Sequence, residues 1–150
     1  MSRSLFTSRH GGFSRNEYES FNLAKHVGDD AGVVERNREL LAKELGIDRS
    51  NLFFINQVHG SRVVEIDESS SYLQELDADA LFTRRSGVAL AVLTADCIPL
   101  LLSSPSAIAA VHIGRKGLIA GVLEATLEKF ESYGIASNQI SASLGASICG

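Results

Sequence analysis

Two imidazoles and one thiol stand at or near the ends of apolar runs in this chain. They are His59 in Gln57-Val58-His59-Gly60, Cys97 in Thr94-Ala95-Asp96-Cys97, and His112 in Ala110-Val111-His112-Ile113-Gly114. Imidazole nitrogen and thiolate sulfur are donor types that zinc selects. Three such ligands leave a four-coordinate ion one position short. That open position separates a catalytic centre from a closed structural one. The chemistry these residues would support is therefore metal-assisted, provided that the fold brings three strand ends together. Each residue also has a plainer reading. His59 could be a hydrogen-bonded turn histidine, Cys97 a small core residue, and Gly114-Arg115-Lys116-Gly117 a basic surface turn. No pair has the short spacing of a zinc finger or an H-E-x-x-H helix, so spacing alone does not join them. Against the plain reading of Cys97, the residues Thr94, Asp96 and Pro99 interrupt two apolar runs. A sheet core does not need that interruption; a site does. The turn after His112 could hold an anion if it starts a helix, through free N–H groups and the positive end of the dipole.

The elements that would carry these residues follow from periodicity. Residues 33–45 read as a helix with Val33, Val34, Leu40, Leu41 and Leu45 on its apolar stripe. Gly46 stands where a C-terminal cap glycine belongs. Residues 52–58 and 62–66 read as strands, and 67–79 as a polar surface loop with a helical turn. Residues 88–94 and 100–103 are apolar, β-rich runs on either side of Asp96-Cys97, and 108–113 form a third buried strand. Residues 117–133 read as a second helix with Leu118, Val122, Leu123, Leu127 and Phe130 inward, and 139–144 as a last strand. Continuous apolar strands covered by helices indicate an α/β domain whose sheet is buried on both faces.

At 150 residues the chain is one domain or most of one. It is 45% apolar and 21% charged, enough for a core and unlike a disordered segment. A net charge of -4 argues against nucleic acid as a partner, because a phosphate backbone selects basic faces. The longest apolar run, 88–94, is too short to cross a bilayer, and the first residues lack the apolar stretch of a signal peptide. A cytoplasmic protein is expected. There, Cys97 and Cys149 are free thiols or metal ligands rather than a disulfide. The chain stops inside a Gly-rich turn, Gly145-Ala146-Ser147-Ile148-Cys149-Gly150, and this reads as a fragment.

Motifs go further than spacing. In order, the chain shows Thr7, Arg9, Gly11-Gly12 and Ser14; Asn22-Leu23; Val27-Gly28-Asp29-Asp30; and Asn37-Arg38. There follow Gln57-Val58-His59-Gly60, Ala78-Asp79-Ala80-Leu81, Thr94-Ala95-Asp96-Cys97-Ile98-Pro99 and Ala110-Val111-His112. With these it resembles, over its whole length, the laccase-domain family. That family is also called polyphenol oxidoreductase-like and is now described as purine nucleoside phosphorylases. The resemblance implies a layered α/β/β/α sandwich with a buried mixed sheet, incomplete at the C-terminus, and a single, partial domain over 1–150. It implies that His59, Cys97 and His112 are zinc ligands at the catalytic centre, and it places Asn22 among the substrate-binding residues. The implied reaction is phosphorolysis of adenosine, inosine or S-methyl-5'-thioadenosine, with adenosine deamination as a side activity. The implied partners are small purine nucleosides and phosphate, with no nucleic acid and no membrane, and the chain a monomer or homodimer.

Two departures from the family pattern stand out. The family usually reads His-Ala-Gly-Trp-Arg-Gly where this chain has His112-Ile113-Gly114-Arg115-Lys116-Gly117. Lysine keeps the charge of arginine and loses its two-pronged grip on phosphate. Relatives also continue well past the motif that ends at Gly150. Phosphorolysis needs an oxyanion held against the sugar carbon and a purine that can be protonated as it leaves. Arg38 and Lys116 are the candidate phosphate contacts. Asp96 is the candidate catalytic proton shuttle, or else a partner that orients a ligand. The familiar zinc-deaminase signature is absent: no His precedes Glu by two residues and there is no C-x-x-C. Copper oxidase chemistry competes, since two His and one Cys could imitate a blue-copper site. The only methionine is Met1, and four histidines without a His-x-His pair are too few for a multicopper centre. An inactive, truncated product is the third alternative.

Overall fold

Asp30 sits in extended backbone and accepts a hydrogen bond from the Val33 N–H at 2.9 Å, which caps the first helix, α1 (Ala31–Leu45). Gly46 ends it in the left-handed region at φ 73°, a conformation that favours glycine. In this computed structural model, which describes residues 2–148, the chain then runs through seven strands. They are β1 (Leu52–Phe53), β2 (Val63–Ile66), β3 (Ala80–Thr83), β4 (Ala89–Leu90), β5 (Ile98–Ser103), β6 (Ile108–Ile113) and β7 (Ser141–Leu144). Two further helices, α2 (Arg115–Ile119) and α3 (Val122–Glu131), separate β6 from β7.

Strands β1 and β4 pair in parallel as a small sheet, and the other five form a mixed sheet in the order β2-β3-β6-β5-β7. Within it β2 and β3 are parallel and every other pair is antiparallel. Side-chain alternation stacks these sheets. Leu52 and Phe54 pack with Leu41 and Ala42 of α1, while Phe53 and Ile55 turn the other way onto Val64, Ile66 and Leu81 of the large sheet. The opposite face of the large sheet, with Phe82, Leu100, Leu102 and Val111, packs on Val122 and Phe130 of α3. The layers therefore run α1, small sheet, large sheet, α3, which is an α/β/β/α sandwich. No helix among the described residues is long and apolar enough to cross a membrane.

Several expectations change. The helix read over 117–133 breaks in two at Gly121, whose φ of 85° ends α2 and starts α3. Leu118 is consequently exposed rather than inward. Only two residues of each of the runs 52–58 and 88–94 pair as strand, although alternate residues of both runs face opposite layers. Strand β3 falls on residues to which the sequence pattern assigns no element, yet all four are buried, between β2 and β6 in the large sheet. Strand β7 falls within the run 139–144 expected as the last strand and is exposed along its whole length. The buried stripe of α1 is also different: Val34, Asn37, Arg38, Leu41 and Ala42, at the spacing of one helical face.

Candidate metal centre

Register explains how three distant residues meet. In the β5–β6 pair, Pro99 lies opposite His112 and Ile98 opposite Ile113. Continued one step, that antiparallel ladder sets Cys97 beside Gly114. In the β3–β6 pair Ala80 lies opposite Val111, which sets Asp79 beside His112, and the His112 N–H donates to the Asp79 carbonyl at 2.8 Å. The turn carrying His59 precedes β2 at this same end of the sheet, since Asp79 and Ala80 both donate to the Arg62 carbonyl. As a result the ligand atoms of His59, Cys97 and His112 all lie within 4.8 Å of one another. The two imidazoles meet edge to face, with ring centroids 4.8 Å apart. His112 is buried, Cys97 half-buried and a free thiol, and His59 exposed, so the group faces solvent from one side. Two nitrogens and a sulfur at this separation can hold a metal ion. Cys149 lies outside the described residues.

Asp79, which carried no assigned role in the sequence, is fully buried beside the group. Its carboxylate accepts from His112 Nδ1 at 2.8 Å and from the backbone N–H groups of His59 at 2.9 Å and Gly60 at 2.6 Å. Gln57 ties this turn to the segment before Cys97. Its amide donates to the Leu93 carbonyl and accepts from the Leu93 N–H, both at 2.7 Å. A charged residue inside an apolar stretch, Ala78-Asp79-Ala80-Leu81-Phe82, is the signal that could have found Asp79.

Gly114 and Gly117 are the close approaches around the centre. A Cβ added at Gly114 would sit 2.8 Å from His59 Cδ2 and 3.2 Å from Cys97 Sγ; one at Gly117 would sit 2.9 Å from the Gly60 carbonyl oxygen. We expect Gly114→Ala to weaken metal binding by about tenfold or more, the scale of losses when a ligand's support is disturbed, with the melting temperature of the metal-free chain little changed. Isothermal titration with a zinc salt checks this. An unchanged affinity would mean that the two ligands can move aside freely.

The remaining expected site residues are placed differently. Asp96 and Lys116 are exposed near the centre, and neither side chain has a partner among the described residues. Lys116 lies in α2, between the two glycines; that helix is five residues long. Asn22 is occupied in loop building: its amide donates to Asp29 at 2.9 Å and to the Ala24 carbonyl at 3.2 Å. Arg38 is fully buried, over the Phe54 ring at 3.9 Å, and donates to the Leu23 carbonyl and to Glu75 at 2.6 Å. A guanidinium enclosed this way does not meet a phosphate arriving from solvent, so the role expected for Arg38 from sequence gives way to a structural one. A cavity of about 1000 Å³, lined by Phe6, Asn22, Leu93, Thr94 and Leu101 among others, reaches the segment before Asp96, but none of the three ligands lines it.

The Arg38–Glu75 pair makes its own prediction. Burial alone would raise the Glu75 carboxyl; the hydrogen bond and charge of Arg38, then those of Lys25, outweigh it and hold the group below its ordinary value of 4.5. A depressed value stabilises the fold above the ordinary value and stops doing so as the pH falls through the folded one. Glu75→Ala should therefore cost about 2 kcal/mol at pH 7, less than a fully buried pair because Glu75 is partly exposed. The gap from wild type should shrink as the pH falls below about 4.5. Urea melts at several pH values test it; a gap that stays constant into acid would contradict the pairing.

The family model described as multi-copper polyphenol oxidoreductase laccase matches residues 3–150. A purine nucleoside phosphorylase of Corynebacterium glutamicum is 44% identical over 151 residues, covering 99% of this chain and 61% of that protein. One from Streptomyces coelicolor is 45% identical over 147 residues, covering 97% and 61%. Among solved structures, YlmD from Geobacillus stearothermophilus superposes with a TM-score of 0.89 at 29% identity, covering 95% of this chain and 56% of that one. Neisseria meningitidis protein NMB0706 gives 0.83 at 37% identity, with 95% and 56% covered. The chain spans about three fifths of the length of the curated relatives it matches.

Proposed function

We propose that this chain, which belongs to the multi-copper polyphenol oxidoreductase laccase family, carries the metal centre of a zinc-dependent purine nucleoside phosphorylase. The observation that carries the reading is the convergence of His59, Cys97 and His112 within 4.8 Å. Relatives named purine nucleoside phosphorylase at 44–45% identity support the activity. The proposed substrates are adenosine, inosine and S-methyl-5'-thioadenosine with inorganic phosphate, and adenosine deamination with water is the proposed side activity. A free thiol among the ligands suits the reducing cytoplasm.

Two imidazoles and a thiolate fit zinc, with His112 offering Nε2 because Nδ1 is held by Asp79. Zinc bound there would supply a Lewis acid for an acceptor oxygen. The residues of the chain do the rest. Lys116 contacts the phosphate as a point charge. Phosphate oxygen bonds to C1′ of the sugar as the bond from C1′ to the purine nitrogen breaks. The purine leaves with a proton from solvent, relayed by Asp96, which is exposed and adjoins Cys97 in the sequence.

The test is metal analysis of the purified chain together with phosphate-dependent release of free purine from adenosine, followed by chromatography. About one zinc per chain with turnover that requires phosphate is the expected result. Copper with phenol oxidation would replace the reading by the oxidase one, and neither metal nor turnover by the inactive one. We further expect Lys116→Ala to raise the KM for phosphate about tenfold or more, since a direct charge-assisted contact is worth roughly 1.5–3 kcal/mol. Steady-state kinetics with phosphate varied would show it; an unchanged KM removes Lys116 from the site.

A further inference from the structure

We propose that Asp79 pre-forms the metal centre, fixing the tautomer of His112 and the backbone of His59 with a single carboxylate. The inference rests on the reading of His59, Cys97 and His112 as metal ligands. Asp79 is fully buried, just before β3, and every group that contacts its carboxylate is a donor or can be one. Oδ1 faces His112 Nδ1 at 2.8 Å and the His59 N–H at 2.9 Å; Oδ2 accepts from the Gly60 N–H at 2.6 Å and the Val58 N–H at 3.3 Å. Among so many donors the group acts as an acceptor only. The ring of His112 must then carry its proton on Nδ1, which leaves the Nε2 lone pair free for a metal.

The same carboxylate bears on His59 through the main chain. His59 has φ 60°, the left-handed region that a residue with a side chain seldom enters. Such a conformation costs about 1–3 kcal/mol and persists only where surrounding structure holds it. Glycine would adopt it freely, but a ligand is needed at this position. Three successive N–H groups, of Val58, His59 and Gly60, close on Asp79 as a small anion-binding nest. Removing the charge would release the turn and one ring together. Asp79 is thus a positioning residue, since it touches neither metal nor substrate itself.

The experiment has two parts. In the metal-free wild-type chain, nitrogen-15 spectra of the imidazole rings, at a pH where they are neutral, should show His112 protonated at Nδ1. A His112 protonated at Nε2 overturns the proposal without any variant being made. In Asp79→Asn, the amide turns a donor toward a backbone donor, so the Nδ1–H form should lose its dominance. Zinc affinity, measured by chelator competition, should fall about 10–100-fold. A folded Asp79→Asn chain with wild-type tautomer and affinity overturns the proposal; if the variant does not fold, the wild-type spectrum still decides. A wild-type chain that shows the Nδ1–H tautomer yet binds no zinc contradicts the metal reading and supports the hold of Asp79 on His112.

Discussion

Cys97→Ala should abolish stoichiometric zinc binding and, with it, the proposed nucleoside turnover, while the metal-free variant should fold as the wild type does. A zinc ion there would be held by one thiolate and two neutral imidazoles, so losing Cys97 would remove charge as well as a donor. Metal affinity should drop by at least about 100-fold, beyond the losses seen for supporting residues. Folding should be nearly untouched. Cys97 is half-buried, immediately precedes β5, and belongs to none of the three apolar clusters that join the layers. Truncation there leaves no core cavity, so the change in stability of the metal-free chain should stay within about 0.5 kcal/mol. Zinc titration and urea melts read the two halves separately. Full zinc occupancy in the variant would show that the ligand is misassigned; a large loss of metal-free stability would show that Cys97 serves the core.

What the sequence made legible is local. Strand β6 falls on residues 108–113 as its apolar run indicates, and α1 stops where Gly46 marks its end. What it left obscure depends on partners far along the chain. Whether residues 54–58 join a ladder turns on what lies beside them, not on their own alternation. Strand β3, only four residues long and preceded by a polar loop, becomes an interior strand of the sheet through β2 on one side and β6 on the other. Gly121 sits in an amphipathic pattern that continues past it, and only its left-handed backbone reveals the break.

The site divides along the same line. His59, Cys97 and His112 could be picked out by residue type, because few structural needs place such ligands at strand ends. Asp79 could not be given a role, because its partner His112 is 33 residues away and register alone brings them together. Arg38 shows the opposite error. Its charge suggested a phosphate contact, yet it lies on the same helical face as Val34, Leu41 and Ala42, a face that must go inward. Periodicity was the better guide there than residue type. Among the described residues its Nη2 has no hydrogen-bond partner, and the Phe54 ring supplies the contact instead.

Phe82→Ala should be the most destabilising single change in the layers around the centre. Phe82 is fully buried in the middle of β3, flanked in register by Glu65 of β2 and Ala109 of β6. Its ring meets Phe130 of α3 edge to face at 5.0 Å and stacks on Tyr133 at 5.6 Å. Alanine would lose both contacts and leave a void that main-chain pairing on both sides prevents from collapsing. The expected cost is about 3–5 kcal/mol, a fall in melting temperature of roughly 6–20 °C for a chain of this size. Leu118→Ala is the matched control. It lies in the run 117–133, whose periodicity indicates a single helix with Leu118 inward, but Leu118 is 48% exposed, so its change should stay within about 0.5 kcal/mol. Calorimetric melts of the two metal-free variants decide between the continuous helix and the broken one. Equal losses would restore the continuous helix, and a Phe82→Ala loss under about 1 kcal/mol would mean that α3 does not pack on β3 as described. Below its melting point, Phe82→Ala should still bind zinc within about threefold of wild type. Asp79 is held by backbone donors and by His112, not by the ring three residues further on, so the stability of the layer and the geometry of the centre can be measured apart.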